Sequence, residues 1–82
     1  MSAEDLTERI CRIVAEVFNL PAARVTPTTT AADIEPWDSM GHLMLILQIE
    51  QEFETQLEPE ETERMDSVAN IATILREKGM AA

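Results

Sequence analysis

The sequence predicts an all-α fold: a four-helix bundle with a short third helix and a long loop between the first and second helices. Three observations carry that expectation. Apolar residues recur at helical spacing in three stretches, residues 6–18, 40–53 and 68–75. Each stretch follows residues that cap helices, Ser2, Asp38 and Asp66-Ser67. There is no strand signal, and aromatics make up only 4% of the chain. With 82 residues, 45% of them hydrophobic and 27% charged, one folded domain spanning residues 1–82 is expected. Its core must be modest.

The first helix is expected to open at Ser2, with Asp5 at the third position of a capping box and Glu4 and Asp5 facing the positive end of the helix dipole. Leu6, Ile10, Ile13, Val14 and Val17 form one face, which Phe18 extends. The helix should end near Asn19-Leu20-Pro21, because proline disfavours helix in the residue before it. Residues 20–37 form a long connection, kept irregular by Pro21, Pro27, Pro36 and the run Thr28-Thr29-Thr30. Val25, Ile34 and Trp37 should pin this loop to the core, and Ala31-Ala32-Asp33 suits a single turn. So long a loop in so small a domain suggests a functional role, and this one delivers the chain to Ser39.

The second helix is expected over residues 39–54. At about 100° per residue, Leu43, Ile46, Ile49, Glu50 and Phe53 share one side. Met40, Met44, Leu47 and Gln51 form a second stripe. A small bundle cannot enclose a helix on all sides, so the methionine-rich stripe is expected to be exposed as an adaptable protein-binding surface. The alternative is a central helix buried on both stripes. Glu58-Pro59-Glu60-Glu61 opens a third helix lasting to about Met65, with proline in the first turn and acids at the positive end. Asp66-Ser67 then caps a fourth, with Val68, Ile71, Ala72 and Leu75 on one face. Arg76 and Lys78 suit its last turn and Gly79 its stop, leaving Met80-Ala81-Ala82 frayed.

The chemistry centres on Trp37-Asp38-Ser39-Met40-Gly41-His42-Leu43. If Asp38 is the N-cap, Ser39 is the first helical residue, and its hydroxyl lies where a phosphate is electrostatically welcome. That makes Ser39 a candidate for a phosphodiester-linked group. The competing reading is that both residues simply cap the helix. A Ser39–His42–Asp38 triad is unfavourable, since adjacent Asp38 and Ser39 cannot place the acid on the far side of the imidazole. His42 then reads as a surface residue near the site. A single His and a single Cys offer no metal signature. The acids Glu50, Glu54, Glu60 and Glu61 read most simply as a solvated face. Cys11 can form no internal disulfide and reads as a structural thiol in a reducing cytoplasm. A net charge of −10 argues against nucleic acid and anionic membranes and suits basic protein surfaces, though it also aids solubility. No apolar run reaches the roughly 20 residues of a membrane span, and the acidic N-terminus is unlike a signal peptide. One special hydroxyl beside an apolar stripe, without a catalytic constellation, describes a protein acted on by others and not an enzyme.

On these residues the chain resembles the acyl carrier proteins. Asp38-Ser39-Met40 stands where that family has Asp-Ser-Leu, continued by Leu43, Ile46 and Ile49-Glu50-Gln51-Glu52-Phe53. Leu57-Glu58-Pro59-Glu60-Glu61 and the Val68 to Ile71 spacing also match, so the similarity runs from about residue 4 to 78. The resemblance implies that Ser39 carries 4′-phosphopantetheine, added from coenzyme A by a phosphopantetheinyl transferase, with acyl groups held as thioesters. Asp38 matches the acid implicated in transferase recognition. Met40, Met44, Leu47, Glu50, Glu60 and Glu61 match positions that meet acyl-activating or acyl-transferring enzymes with basic docking surfaces. Gly41 stands where fatty-acid carriers usually have an acid or small polar residue, and Met44 where they usually have Glu. Those departures favour a specialised carrier with a more apolar interface; a free-standing, monomeric carrier of fatty-acid, polyketide or related acyl metabolism is expected. Asp-Ser-Met-Gly is also similar to D-alanyl carriers, so a D-alanyl-type or aminoacyl carrier stays open, while the Gly-Gly-x-Ser pattern of peptidyl carriers is missing. A rival of another class is an acidic helical adaptor that binds through Met40, Met44 and Leu47 without a cofactor.

Overall fold

Helices form where capping residues and apolar spacing coincide. The structure, a computed structural model, describes residues 5–80. Among them are α1 (Leu6–Val17), α2 (Ser39–Phe53), the short α3 (Pro59–Glu63) and α4 (Val68–Glu77). Two 3₁₀ turns, Ala22–Arg24 and Ala31–Asp33, interrupt the long loop. This is the expected all-α bundle.

α1 is the central packing element, touching both α2 and α4. Its Leu6, Ile10, Ile13 and Val14 meet Leu45 and Ile49 of α2 and Val68, Ile71 and Leu75 of α4 in one buried cluster. Each such aliphatic side chain contributes about 1.5–3 kcal/mol on burial.

The start of α1 differs from expectation. Asp5 is its N-cap, in a complete capping box with Glu8: the Glu8 N–H donates to Asp5 Oδ1 (2.8 Å) and the Asp5 N–H to Glu8 Oε1 (3.3 Å). Glu is the preferred third residue of the motif, so Asp5 begins the helix instead of sitting at its third position. The expected cap, Ser2, lies outside the described residues. At the other end, Asn19 takes a left-handed conformation (φ 56°) and the Leu20 N–H donates back to the Ala15 carbonyl. The helix is therefore closed by its own terminal hydrogen bonds, with its C-cap, Phe18, three residues before Pro21.

Val25, Ile34 and Trp37 are buried, as expected, and Ala31–Asp33 forms the expected turn. The loop carries one feature that spacing did not announce. Thr30 and Ser67 form an isolated antiparallel bridge, with the Ala31 N–H on the Asp66 carbonyl and the Val68 N–H on the Thr29 carbonyl. This ties the middle of the loop to the start of α4.

α2 also corrects the expected faces. Its core side is Gly41, Leu45, Ile46, Ile49 and Phe53. Leu43, assigned to that side, is 58% exposed, whereas Leu45 is fully buried. Five consecutive apolar residues from Leu43 to Leu47 carry little phase information, so the tertiary contacts of Gly41 decide the rotation. The expected exposure of the second stripe holds: Met40, Met44 and Leu47 are exposed, and Leu43 joins them.

α3 stops at Glu63, two residues short of Met65, which is instead fully buried in the link to α4. Ser67 caps α4, accepting from the Asn70 N–H at 3.0 Å, and Asp66 accepts from the Asn70 side chain. Met80 is not frayed. Gly79 adopts φ 88°, and the Met80 N–H donates to the Leu75 carbonyl, closing α4 with Met80 packed against the core. Ala81 and Ala82 lie outside the described residues. Among the described residues no helix is long and apolar enough to cross a membrane.

Candidate functional site

The site is built on the first turn of α2. Asp38 is the N-cap, and its Oδ1 accepts from the Gly41 N–H at 2.9 Å. Ser39 is the first helical residue and is exposed. It borders an open groove of about 340 Å³ lined by Ala31, Trp37, Asp38, Ser39, His42, Glu63 and Asp66.

Three residues around this turn are not surface features. Trp37 is buried, stacks on Phe18 with ring centroids 5.6 Å apart, and donates its Nε1–H to His42 Nδ1 at 2.9 Å. His42 Nε2 lies 2.7 Å from the Thr62 carbonyl oxygen. Indole N–H can only donate and a carbonyl can only accept, so these partners fix the imidazole as the neutral Nε2–H tautomer. The expectation of a surface His42 is therefore corrected: the ring is half-buried and joins loop, α2 and α3. Both nitrogens are occupied, which leaves neither to serve Ser39 as a base.

Gly41 is buried because a Cβ there would overlap the Pro36 carbonyl oxygen and lie 2.8 Å from Phe18 Cε1. Its departure from the family pattern thus has a packing cause. The sequence signal for this cluster was a Trp five residues before the chain's one His, across a helix cap.

Met40, Leu43, Met44 and Leu47 form an exposed apolar stripe running from Ser39 along α2. The acids are placed less uniformly than a solvated face. Glu50 Oε2 accepts from the Leu57 N–H at 2.9 Å, tying α2 to the following loop. Glu61 accepts from the Glu58 N–H (2.8 Å) and from Lys78 Nζ (3.2 Å). The Glu58 N–H first, then Lys78 and Arg64, hold its carboxyl below the usual carboxylate range. Glu60 is exposed in the first turn of α3. Cys11 lies away from this site, beside a second groove between α1 and the loop. Burial, reinforced by Asp5 and Glu8, raises the pKa of its thiol. Among the described residues no group of three or more His, Cys, Asp or Glu is arranged to hold a metal ion.

Comparison with known proteins agrees with this geometry. Residues 8–75 match the family described as "Phosphopantetheine attachment site". An acyl carrier protein of Thermosynechococcus vestitus is 26% identical over 78 residues, covering 95% of this chain and 96% of its own. A mitochondrial acyl carrier protein of Dictyostelium discoideum is 28% identical over 76 residues, covering 93% of this chain and 62% of its own length. Most of the four-helix core and the whole of α2 fall within the matched residues, and on that match the chain belongs to the phosphopantetheine-attachment family of acyl carrier proteins, which bear covalent 4′-phosphopantetheine and act as carriers, not enzymes.

Proposed function

We propose that Ser39 is the attachment point of the 4′-phosphopantetheine arm and that residues 1–82 form one monomeric carrier domain. The observation that carries this reading is an exposed serine hydroxyl at the first residue of α2, inside the matched region, with an apolar stripe beginning beside it. The residues present fit the group. The hydroxyl is open to solvent, and the positive end of α2 favours a phosphodiester there by about 0.3–1 kcal/mol. Asp38 spends its carboxylate on the Gly41 N–H and so holds the turn that presents Ser39. Glu63 and Asp66, on the far side of the groove, repel an anionic phosphate and favour an arm directed into solvent. When bound, the arm supplies a terminal thiol that holds acyl groups as thioesters.

Met40, Met44 and Leu47 are the docking surface for the transferase and for acyl-activating or acyl-transferring enzymes. The acids Glu50, Glu60 and Glu61 steer basic surfaces toward it, since rim charges mainly raise on-rate. The cargo belongs to fatty-acid, polyketide or related acyl metabolism. A reducing cytoplasm fits the free Cys11.

The test is intact mass after incubation with coenzyme A and a promiscuous phosphopantetheinyl transferase, with Ser39→Ala as control. A gain of one phosphopantetheine in the wild type only is expected. Equal gain in Ser39→Ala refutes the assignment.

A further inference from the structure

We infer that His42 is a positioning residue for the loading of Ser39, and that it works in this role only as the neutral imidazole. The inference rests on the reading of Ser39 as the attachment point.

The ring is a three-way junction. Its Nδ1 holds the Trp37 indole, and its Nε2–H holds the Thr62 carbonyl near the end of α3. Its own backbone N–H closes the first turn of α2 onto the Asp38 carbonyl at 2.7 Å. Trp37 is the residue directly before Asp38-Ser39, so the anchor of Trp37 is also the anchor of the segment a transferase must grip. Phe18 supports the other side of the indole, and Gly41 allows Pro36 to approach the helix. His42 lies one helical turn from Ser39, on the same side, and both line the same groove.

Protonation changes one of the two bonds. In the imidazolium both nitrogens donate, so the Nε2–H to Thr62 bond survives. Nδ1–H would then face the Trp37 Nε1–H, donor against donor, and the indole must let go. The charged groups that line the groove with His42 are Asp38 from the cap of α2, Glu63 at the end of α3 and Asp66 from the link to α4. Acidification therefore loosens Pro36-Trp37-Asp38 while leaving the helices packed.

The experiment compares initial rates of coenzyme A-dependent loading for the wild type, His42→Ala and His42→Asn, with Trp37 emission recorded in parallel. Rates are taken at about pH 7.5 and about pH 6, on either side of the ordinary imidazole value. Asparagine offers an acceptor near the place of Nδ1 and does not titrate. At the higher pH, His42→Ala removes both ring hydrogen bonds and is expected to lower kcat/KM about tenfold, mainly through KM, chiefly through loss of the anchor on Trp37. His42→Asn should recover most of that loss. Between the two pH values the wild type should lose about threefold more efficiency than His42→Asn, which carries the pH response of the transferase alone. The Trp37 emission should shift with pH in the wild type only. The inference is overturned if the wild type and His42→Asn share one pH profile, or if a folded His42→Ala loads like the wild type. If His42→Ala does not fold, the pH comparison with His42→Asn decides. A wild type that gains no mass at either pH removes the Ser39 reading itself, and this inference with it.

Discussion

Replacing Gly41 by alanine sets two effects of known size against each other. A helical Gly→Ala change normally stabilises by up to about 1 kcal/mol, through helix propensity and a less disordered unfolded chain. At Gly41 the added Cβ overlaps the Pro36 carbonyl oxygen and sits 2.8 Å from Phe18 Cε1. The first obstacle is backbone, and it cannot retreat freely. The next residue, Trp37, is buried, stacked on Phe18 and bonded to His42, and its N–H is held by the Ile34 carbonyl. Phe18 is itself packed in the core. Overpacking of this kind costs about 1–3 kcal/mol, so the net expectation is a loss of about 1–2 kcal/mol. For a chain of this size each kcal/mol moves Tm by about 4–8 °C, so a fall of about 4–16 °C is expected. Far-UV circular dichroism melts read the loss, and Trp37 emission should shift, because relief of the overlap displaces the loop. A Gly41→Ala protein with a raised Tm and unchanged Trp37 emission would refute the account of why glycine stands there.

Three further outcomes follow from other contacts. Cys11 is raised in pKa by burial and by Asp5 and Glu8, so iodoacetamide at about pH 8 should alkylate it several-fold more slowly than a cysteine in an unfolded peptide; equal rates would contradict its placement. Glu61 is lowered in pKa, so its ionised form stabilises the fold above its ordinary value of 4.5, and that contribution is lost as pH falls below it. The stability gap between the wild type and Glu61→Gln in urea should therefore shrink from neutral pH to about pH 3, and a gap that widens would reverse the sign. At Glu50, Gln keeps an acceptor for the Leu57 N–H while Ala does not. Glu50→Ala should thus be less stable than Glu50→Gln by about 1 kcal/mol in urea unfolding. If charge at this position steers partners, both variants should slow partner association alike.

The site was legible where local chemistry sets it. Asp38 before Ser39 caps α2 because a short carboxylate reaches first-turn N–H groups whatever the rest of the chain does. The exposure of Met40, Met44 and Leu47 follows from the small size of the bundle. What escaped the reading were contacts between residues on different elements. His42 looked like a surface residue because its partners, Trp37 and the Thr62 carbonyl, belong to the loop and to α3. Gly41 looked like a change of interface because the Pro36 carbonyl that forbids a side chain there has no signal in spacing. Glu50 and Glu61 looked like a solvated face until their carboxylates met backbone N–H groups seven and three residues away.

The sequence by itself determined the number and order of the helices, the caps of α2 and α4, and the presentation of one hydroxyl. All of these depend on neighbours within about one helical turn, which spacing records. Only the tertiary structure decided the rotation of α2, with Leu45 inward and Leu43 outward. It also decided the closing of α4 onto Met80, the bridge from Thr30 to Ser67, and the joining of Trp37, His42 and Thr62 under Ser39. The physical reason is that a run of five apolar residues suits several rotations equally, and packing against Phe18 and Pro36 selects one of them.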